Sequence, residues 1–122
     1  TSQEYKDLTN NDMHVINAIG VGTTKNMSSI AKELSVTVGT LTISMNSLVK
    51  KGYVTRCRSM QDRRVVHISL SEKGVKAYYH HKHFHEQMIQ GVVEVLTEEE
   101  LQALIKALTK LNSWFRSFDK DE

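Results

Sequence analysis

The sequence predicts a mainly α-helical chain carrying one small β-hairpin. Three observations lead there. None of the 122 residues is proline, so nothing in the chain interrupts a helix covalently. Apolar residues recur at i, i+3, i+4 and i+7 over most of the length. Only two short runs, residues 53–58 and 65–70, alternate with the period of a strand.

The elements follow in order. Thr9 is a good N-cap, and Asp12 lies where it meets the positive end of a first helix. Met13, Ile16, Ala18 and Ile19 give that helix its apolar side, and Gly20 and Gly22 end it. Asn26 or Ser28 caps a short second helix with Met27, Ile30, Ala31 and Leu34 facing inward. A turn at residues 35–37 leads to a third helix, capped by Thr37 and running to residue 51, with Leu41, Met45 and Leu48 as its apolar stripe. Gly52 stops it. The two strands then flank a polar tip, residues 59–64. Ser71 caps a long helix to about residue 96. Thr97 with Glu100 forms a capping box that opens the last helix, to about residue 118. Leu101, Leu104, Ile105, Leu108, Leu111 and Phe115 make its seam.

Composition bounds the function. A length of 122 residues suits a single domain, 1–122, with helices and hairpin in residues 9–70 and the long helices in 71–122. With 25% charged residues and a mean hydropathy of −0.39, the composition is that of an ordinary folded protein. No apolar run reaches the ~18 residues a membrane span needs, and no basic-plus-apolar leader opens the chain. Neither a membrane location nor secretion is expected. The chain starts at Thr1, not Met, so residues upstream are expected. One cysteine, Cys57, allows no internal disulfide or cysteine-cluster zinc site and suits a reducing cytoplasm. There is no nucleophile motif and no Gly-rich phosphate loop. An enzyme is not expected, nor is a cofactor.

The net charge of +2 is unevenly spread: −2 over residues 1–24, +6 over 25–70, and −2 over 71–122. A basic middle third is the footprint of a module that binds a polyanion. Helix, short turn, helix, then a hairpin with a basic tip is the order of a winged helix-turn-helix. The helix over residues 37–51 is about 22 Å long at ~1.5 Å per residue, and its diameter suits a major groove ~12 Å wide. Opposite its stripe lie Thr37, Thr40, Thr42, Ser44, Asn46 and Ser47, small polar groups able to approach base edges and phosphates. Gly39 lets the backbone come close. Lys25, Lys32, Lys50, Lys51, Arg56 and Arg58 are candidates to hold the phosphate backbone. Arg63 and Arg64 sit in the tip beside Asp62. The long terminal helices cannot bury their seams within so short a chain, so a homodimer on a palindromic double-stranded operator is expected. Val92, Val95, Leu101, Leu104, Leu108, Leu111, Trp114 and Phe115 are the expected interface.

Residues 48–54 (LVKKGYV), Arg58-Ser59, and residues 62–74 (DRRVVHISLSEKG) resemble the MarR family of winged-helix transcription regulators. The Asp-x-Arg wing followed by Leu-Ser/Thr-x-x-Gly carries the likeness, which spans nearly all of residues 8–118. It implies that Asp62 braces the wing arginines and that Arg64 enters the minor groove. The chain differs from the family pattern in lacking most of the usual first helix. Met13-His14, residues 32–34, 36–40, 61–67 and 81–85 are similar to FabT-type repressors of fatty-acid biosynthesis in Gram-positive bacteria. That similarity implies acyl-acyl carrier protein as corepressor. The expected effector pocket is Leu8, Met13, His14, Ile16, Tyr78, His81, Phe84, His85 and Met88, with Lys76 and Lys82 adding to the basic docking surface for an acidic carrier.

His81 and His85 are spaced i, i+4 and share one helix face. With His14 they match ligand positions of a zinc-sensing branch of the same family, which makes a zinc-responsive repressor of metal-uptake genes the alternative. That branch adds a glutamate from the first helix, absent here, and a glutamate where this chain has His80. FabT-type repressors keep the same three histidines, so the match does not separate the two effectors. A hydrogen-bonded interior or interface cluster is the favoured reading of these histidines.

Overall fold

The computed structural model describes residues 5–120. They form α1 (Asn10–Ile19), α2 (Met27–Leu34), α3 (Val38–Lys51), β1 (Val54–Arg58), β2 (Val66–Leu70), α4 (Glu72–Val95) and α5 (Glu98–Lys120). One compact unit runs to His83 and a second begins at Phe84, within α4.

Local chemistry sets the helix starts. Thr9 accepts the Asp12 amide while the Asp12 carboxylate accepts the Thr9 amide, a reciprocal box at α1. Asn26 accepts the Ser29 amide at α2, and Thr37 accepts the Thr40 amide at α3. Thr97 and Glu100 close the same box at α5, and those two bonds hold the Glu100 carboxyl below its ordinary range. Gly52 ends α3 with φ of +89°, a left-handed turn that costs glycine little. Ser35 makes the same kind of turn after α2, at φ of +57°, without glycine.

The core of the first unit gathers one face of each element. Ile16, Ile19, Ile30, Met45, Leu48, Tyr53 and Ile68 are fully buried. β1 and β2 pair antiparallel with Val54 opposite Leu70 and Arg58 opposite Val66. Lys25 adds a bridge on the far side of β2: its amide donates to the Ile68 carbonyl at 2.9 Å and its carbonyl accepts the Ile68 amide at 2.7 Å. This tie fastens the segment before α2 to the wing.

A polar clamp joins the start of α1 to the end of α3. The Lys51 ammonium bonds the Asp12 carboxylate at 3.0 Å and also the Asp7 carbonyl. Asp12 is buried, and this pairing together with the cap satisfies it. The Tyr53 hydroxyl donates to the Asp7 carboxylate at 2.6 Å. That bond holds the Asp7 carboxyl below the usual carboxylate range. Burial, reinforced by the Asp7 carboxylate, pushes the Tyr53 phenol well up.

The Tyr53–Asp7 bond therefore has a pH signature. A carboxyl whose pKa is depressed on folding adds stability above its unfolded value of ~3.9 and loses it as pH falls through the folded value. Tyr53→Phe is expected to cost about 1 kcal/mol at neutral pH, since the exposed Asp7 regains water. Melting curves of wild type and variant should converge on acidification to about pH 2. A gap that stays constant with pH would show that the bond does not set the difference.

In the second unit α5 buries none of its apolar seam completely. Leu104, Ile105, Leu108, Leu111, Trp114, Phe115 and Phe118 stay 37–57% exposed. Met88, Ile89, Val92, Leu101, Leu104 and Leu108 are among the residues lining an apolar groove of about 430 Å3 between α4 and α5.

Candidate nucleic-acid interface

The amphipathic pattern of α3 decides what it presents. Leu41, Met45 and Leu48 are buried. Gly39, Ile43, Asn46 and Lys50 form the exposed row opposite them, spaced four, three and four residues apart. The hydroxyls predicted to face DNA divide into two groups. Thr37 is committed to the cap and also donates to Thr40 Oγ1 at 2.9 Å. Thr42 donates to the Val38 carbonyl at 2.8 Å, and Ser44 accepts from Asn11 Nδ2 at 2.9 Å, which ties α3 to α1. Thr40 and Asn46 are exposed, and Ser47 is half-buried. Gly39 is uncrowded: an added Cβ would meet only Thr37 Oγ1, at 3.9 Å.

Asn46 is reached from the wing. The Arg56 guanidinium on β1 donates to Asn46 Oδ1 at 2.5 Å. Arg56, Arg58, Arg63 and Arg64 are all exposed.

The wing tip is locally pre-organised. Ser59 Oγ accepts the amides of Gln61 and Asp62. The Ser59 amide donates to the Val65 carbonyl, which closes the loop. The Asp62 carboxylate accepts three donors of one residue: the Arg64 amide at 3.0 Å, Nε at 3.1 Å and Nη2 at 3.2 Å. The fork on the Arg64 side chain, then its amide, holds the Asp62 carboxyl below the usual range. The Arg64 side chain remains 91% exposed. Arg58 donates to the Arg63 carbonyl at 2.8 Å, so it braces the loop from the strand side.

Two lysines expected on phosphate are engaged elsewhere. Lys51 belongs to the Asp7–Asp12 clamp. Lys25 donates to the Ala18 carbonyl at the end of α1 and lies 3.7 Å from Glu33. Both correct the reading from charge, which counts cations without seeing which ones the fold uses. Lys32 and Lys50 are exposed.

The expected effector residues occupy different settings. Ile16 is fully buried in the core, a correction to its place in a pocket lining. Leu8, Met13 and Tyr78 pack against that core. His14 instead opens on a groove of about 340 Å3 shared with Asn11, Glu33, Leu34, Thr40 and Ser44. His81 is half-buried. In the second unit Phe84 meets the His85 ring edge-on at 6.2 Å, and Met88 lines the apolar groove there. Among the described residues, no three His, Cys, Asp or Glu side chains gather where they could hold a metal ion.

A family model described as "Transcriptional regulator SarA/Rot" matches residues 1–79. The chain is a MarR/SarA-type transcription regulator. Streptococcus pneumoniae FabT, solved in complex with DNA, is 41% identical with a TM-score of 0.85, over 93% of this regulator and 80% of that chain. The Staphylococcus aureus MepR–DNA complex is 27% identical with a TM-score of 0.69, over 93% and 83%. An HTH-type regulator of Bacillus subtilis, YpoP, is 28% identical over 88% of this regulator and 76% of its own length. The relatives are transcription regulators rather than enzymes, and two of these neighbours are solved on DNA. Among its described residues no helix is long and apolar enough to cross a membrane.

Sequence reasoning passes over two features of this surface. Ile43 is 75% exposed on the outward row of α3, although it is aliphatic. Its signal is its spacing, four residues after Gly39 and three before Asn46. Arg56 reads from charge as a phosphate ligand, and its bond to Asn46 has no sequence signal.

Proposed function

We propose that the regulator is a homodimeric repressor of fatty-acid biosynthesis genes that binds a palindromic operator with acyl-acyl carrier protein as corepressor. The 41% identity to S. pneumoniae FabT over most of both chains carries this reading. Dimerisation is supported by the apolar seam of α5, which one chain leaves 37–57% exposed from Leu104 to Phe118. Seams of this extent are stable in water only when covered. Two copies would set their α3 helices on half-sites about one turn, ~34 Å, apart. A zinc-responsive repressor, with His14, His81 and His85 as ligands, is the alternative reading.

The test is operator binding with acyl-acyl carrier protein of increasing chain length, with zinc, and with neither. The corepressor reading expects tightening of roughly 5- to 150-fold, the span of ordinary coupling energies. Each added methylene buried contributes ~0.8 kcal/mol, so longer chains should act more strongly. The complex should saturate at two chains per duplex. A response to zinc that a chelator abolishes, with no dependence on chain length, would replace this reading with the metal one.

A further inference from the structure

The exposed row of α3 carries a side chain that folding does not need. Ile43 is β-branched, so it lowers helix propensity, and at 75% exposure it gains little from burial. Its neighbours on the row are Gly39 and Asn46. An aliphatic group between a glycine and an amide, on the face turned to a major groove, is matched by one feature of the base edges: the C5 methyl of thymine.

The Asn46 amide is oriented by the wing. A guanidinium only donates, so the amide atom facing Arg56 Nη1 is the oxygen. Asn46 therefore offers DNA its Nδ2 donors while the Arg56 guanidinium occupies one side of its Oδ1. The bidentate pairing of asparagine with adenine needs acceptor and donor together. A donor alone meets thymine O4, guanine O6/N7 or adenine N7 alike, without the second bond that sets adenine above the others. Ile43 and Asn46 are three residues apart, about 4.5 Å along the helix axis, so their side chains reach neighbouring bases spaced ~3.4 Å apart.

We infer that the regulator reads a thymine-containing step in each half-site through Ile43 on the thymine methyl and Asn46 as a donor to the adjacent base, with Arg56 as the positioning residue that takes from Asn46 its bidentate preference for adenine. This rests on α3 being the DNA-reading helix. It adds which chemistry α3 selects and why a wing arginine takes part in base choice.

The experiment selects duplexes from a randomised pool with the wild-type chain. The preferred site is then re-measured with each thymine replaced singly by deoxyuridine, which removes only the methyl, and with each base pair exchanged. Wild type should show one position per half-site where deoxyuridine weakens binding about fourfold, the factor matching ~0.8 kcal/mol for one buried methyl. Ile43→Ala should be indifferent to that replacement. Arg56→Met should raise the preference for adenine at the neighbouring position about fivefold or more over that of wild type. Both substitutions are at exposed positions, so folding is not at stake. A deoxyuridine scan identical for wild type and Ile43→Ala, or an Arg56→Met variant that selects the wild-type sequence throughout, overturns the assignment. A wild-type chain that enriches no sequence overturns the DNA-reading role of α3, which is a different failure.

Discussion

Gly74→Ala is expected to destabilise the first unit by about 3–5 kcal/mol, enough to lower the melting temperature by roughly 15–30 °C. A Cβ built on Gly74 would lie 2.0 Å from the Tyr53 carbonyl oxygen and 3.2 Å from Leu70 Cβ. The obstacle is backbone, so no rotamer change relieves it. The first turn of α4 would have to withdraw by more than ~1 Å, where ordinary overpacking costs ~1–3 kcal/mol. Withdrawal breaks the bonds that seat the helix. Ser71 donates its amide to the Tyr53 carbonyl at 3.0 Å and its hydroxyl to the Gly52 carbonyl, and it accepts the Gly74 amide at 3.1 Å. It also uncovers Ala77 and the fully buried Tyr53. Gly39→Ala is the matched control, since its Cβ meets nothing closer than 3.9 Å; alanine there should gain about 0.5–1 kcal/mol. Thermal or denaturant unfolding of the two variants decides the matter. A Gly74→Ala protein that melts within a few degrees of wild type would show that the close approach is not what reserves this position for glycine.

The elements were legible because their boundaries are local. Thr9, Thr37, Gly52 and Thr97 act within three or four residues of themselves, and each stands at the end where it was expected. The apolar stripes of α1 and α3 likewise need only periodicity. What the sequence did not reveal lies in pairs far apart along the chain. Lys51 meets Asp7 across 44 residues and Tyr53 meets Asp7 across 46. Counting charge cannot separate Lys51 and Lys25, which clamp helices, from Lys32 and Lys50, which face water. The same limit explains Ile16. Hydrophobicity gives it an apolar environment, but core and ligand pocket share that property, and only packing assigned it to the core. The bracing role of Asp62 was implied by the family resemblance, and the structure shows it as a local pairing with Arg64, two residues on. The Arg56–Asn46 bond joins a strand to a helix ten residues back, and no pattern in the sequence announces it.

Arg64→Ala is expected to remove most operator affinity, at least about 100-fold, or ~2.8 kcal/mol at 1.4 kcal/mol per decade. The expectation comes from how the wing holds this residue. Asp62 places a negative charge on the proposed DNA-binding face, which by itself weakens attraction to a polyanion. In return it holds Nε and Nη2 of Arg64 at 3.1 and 3.2 Å, so the guanidinium is oriented before DNA arrives while the side chain stays 91% exposed. Orientation in advance lowers the entropy cost of binding. Arg64→Ala should leave stability within about 0.5 kcal/mol of wild type, because so exposed a side chain contributes little packing. It should also flatten the salt dependence, by about 0.9 in the slope of log K against log salt for each phosphate no longer neutralised. Arg64→Lys separates charge from geometry: it should restore the slope but only part of the affinity, since an ammonium lacks the fork that Asp62 grips. Asp62→Asn completes the series. It adds a net positive charge, so binding to random duplex should hold or rise, while binding to operator falls. The Asp62 carboxyl is held below the ordinary range, so wild-type binding should not vary through this pair between about pH 5 and 8. Titrations of the four proteins at two salt concentrations, against operator and random duplex, supply every comparison. Operator affinity for Arg64→Ala equal to that of wild type would remove the wing from the DNA interface.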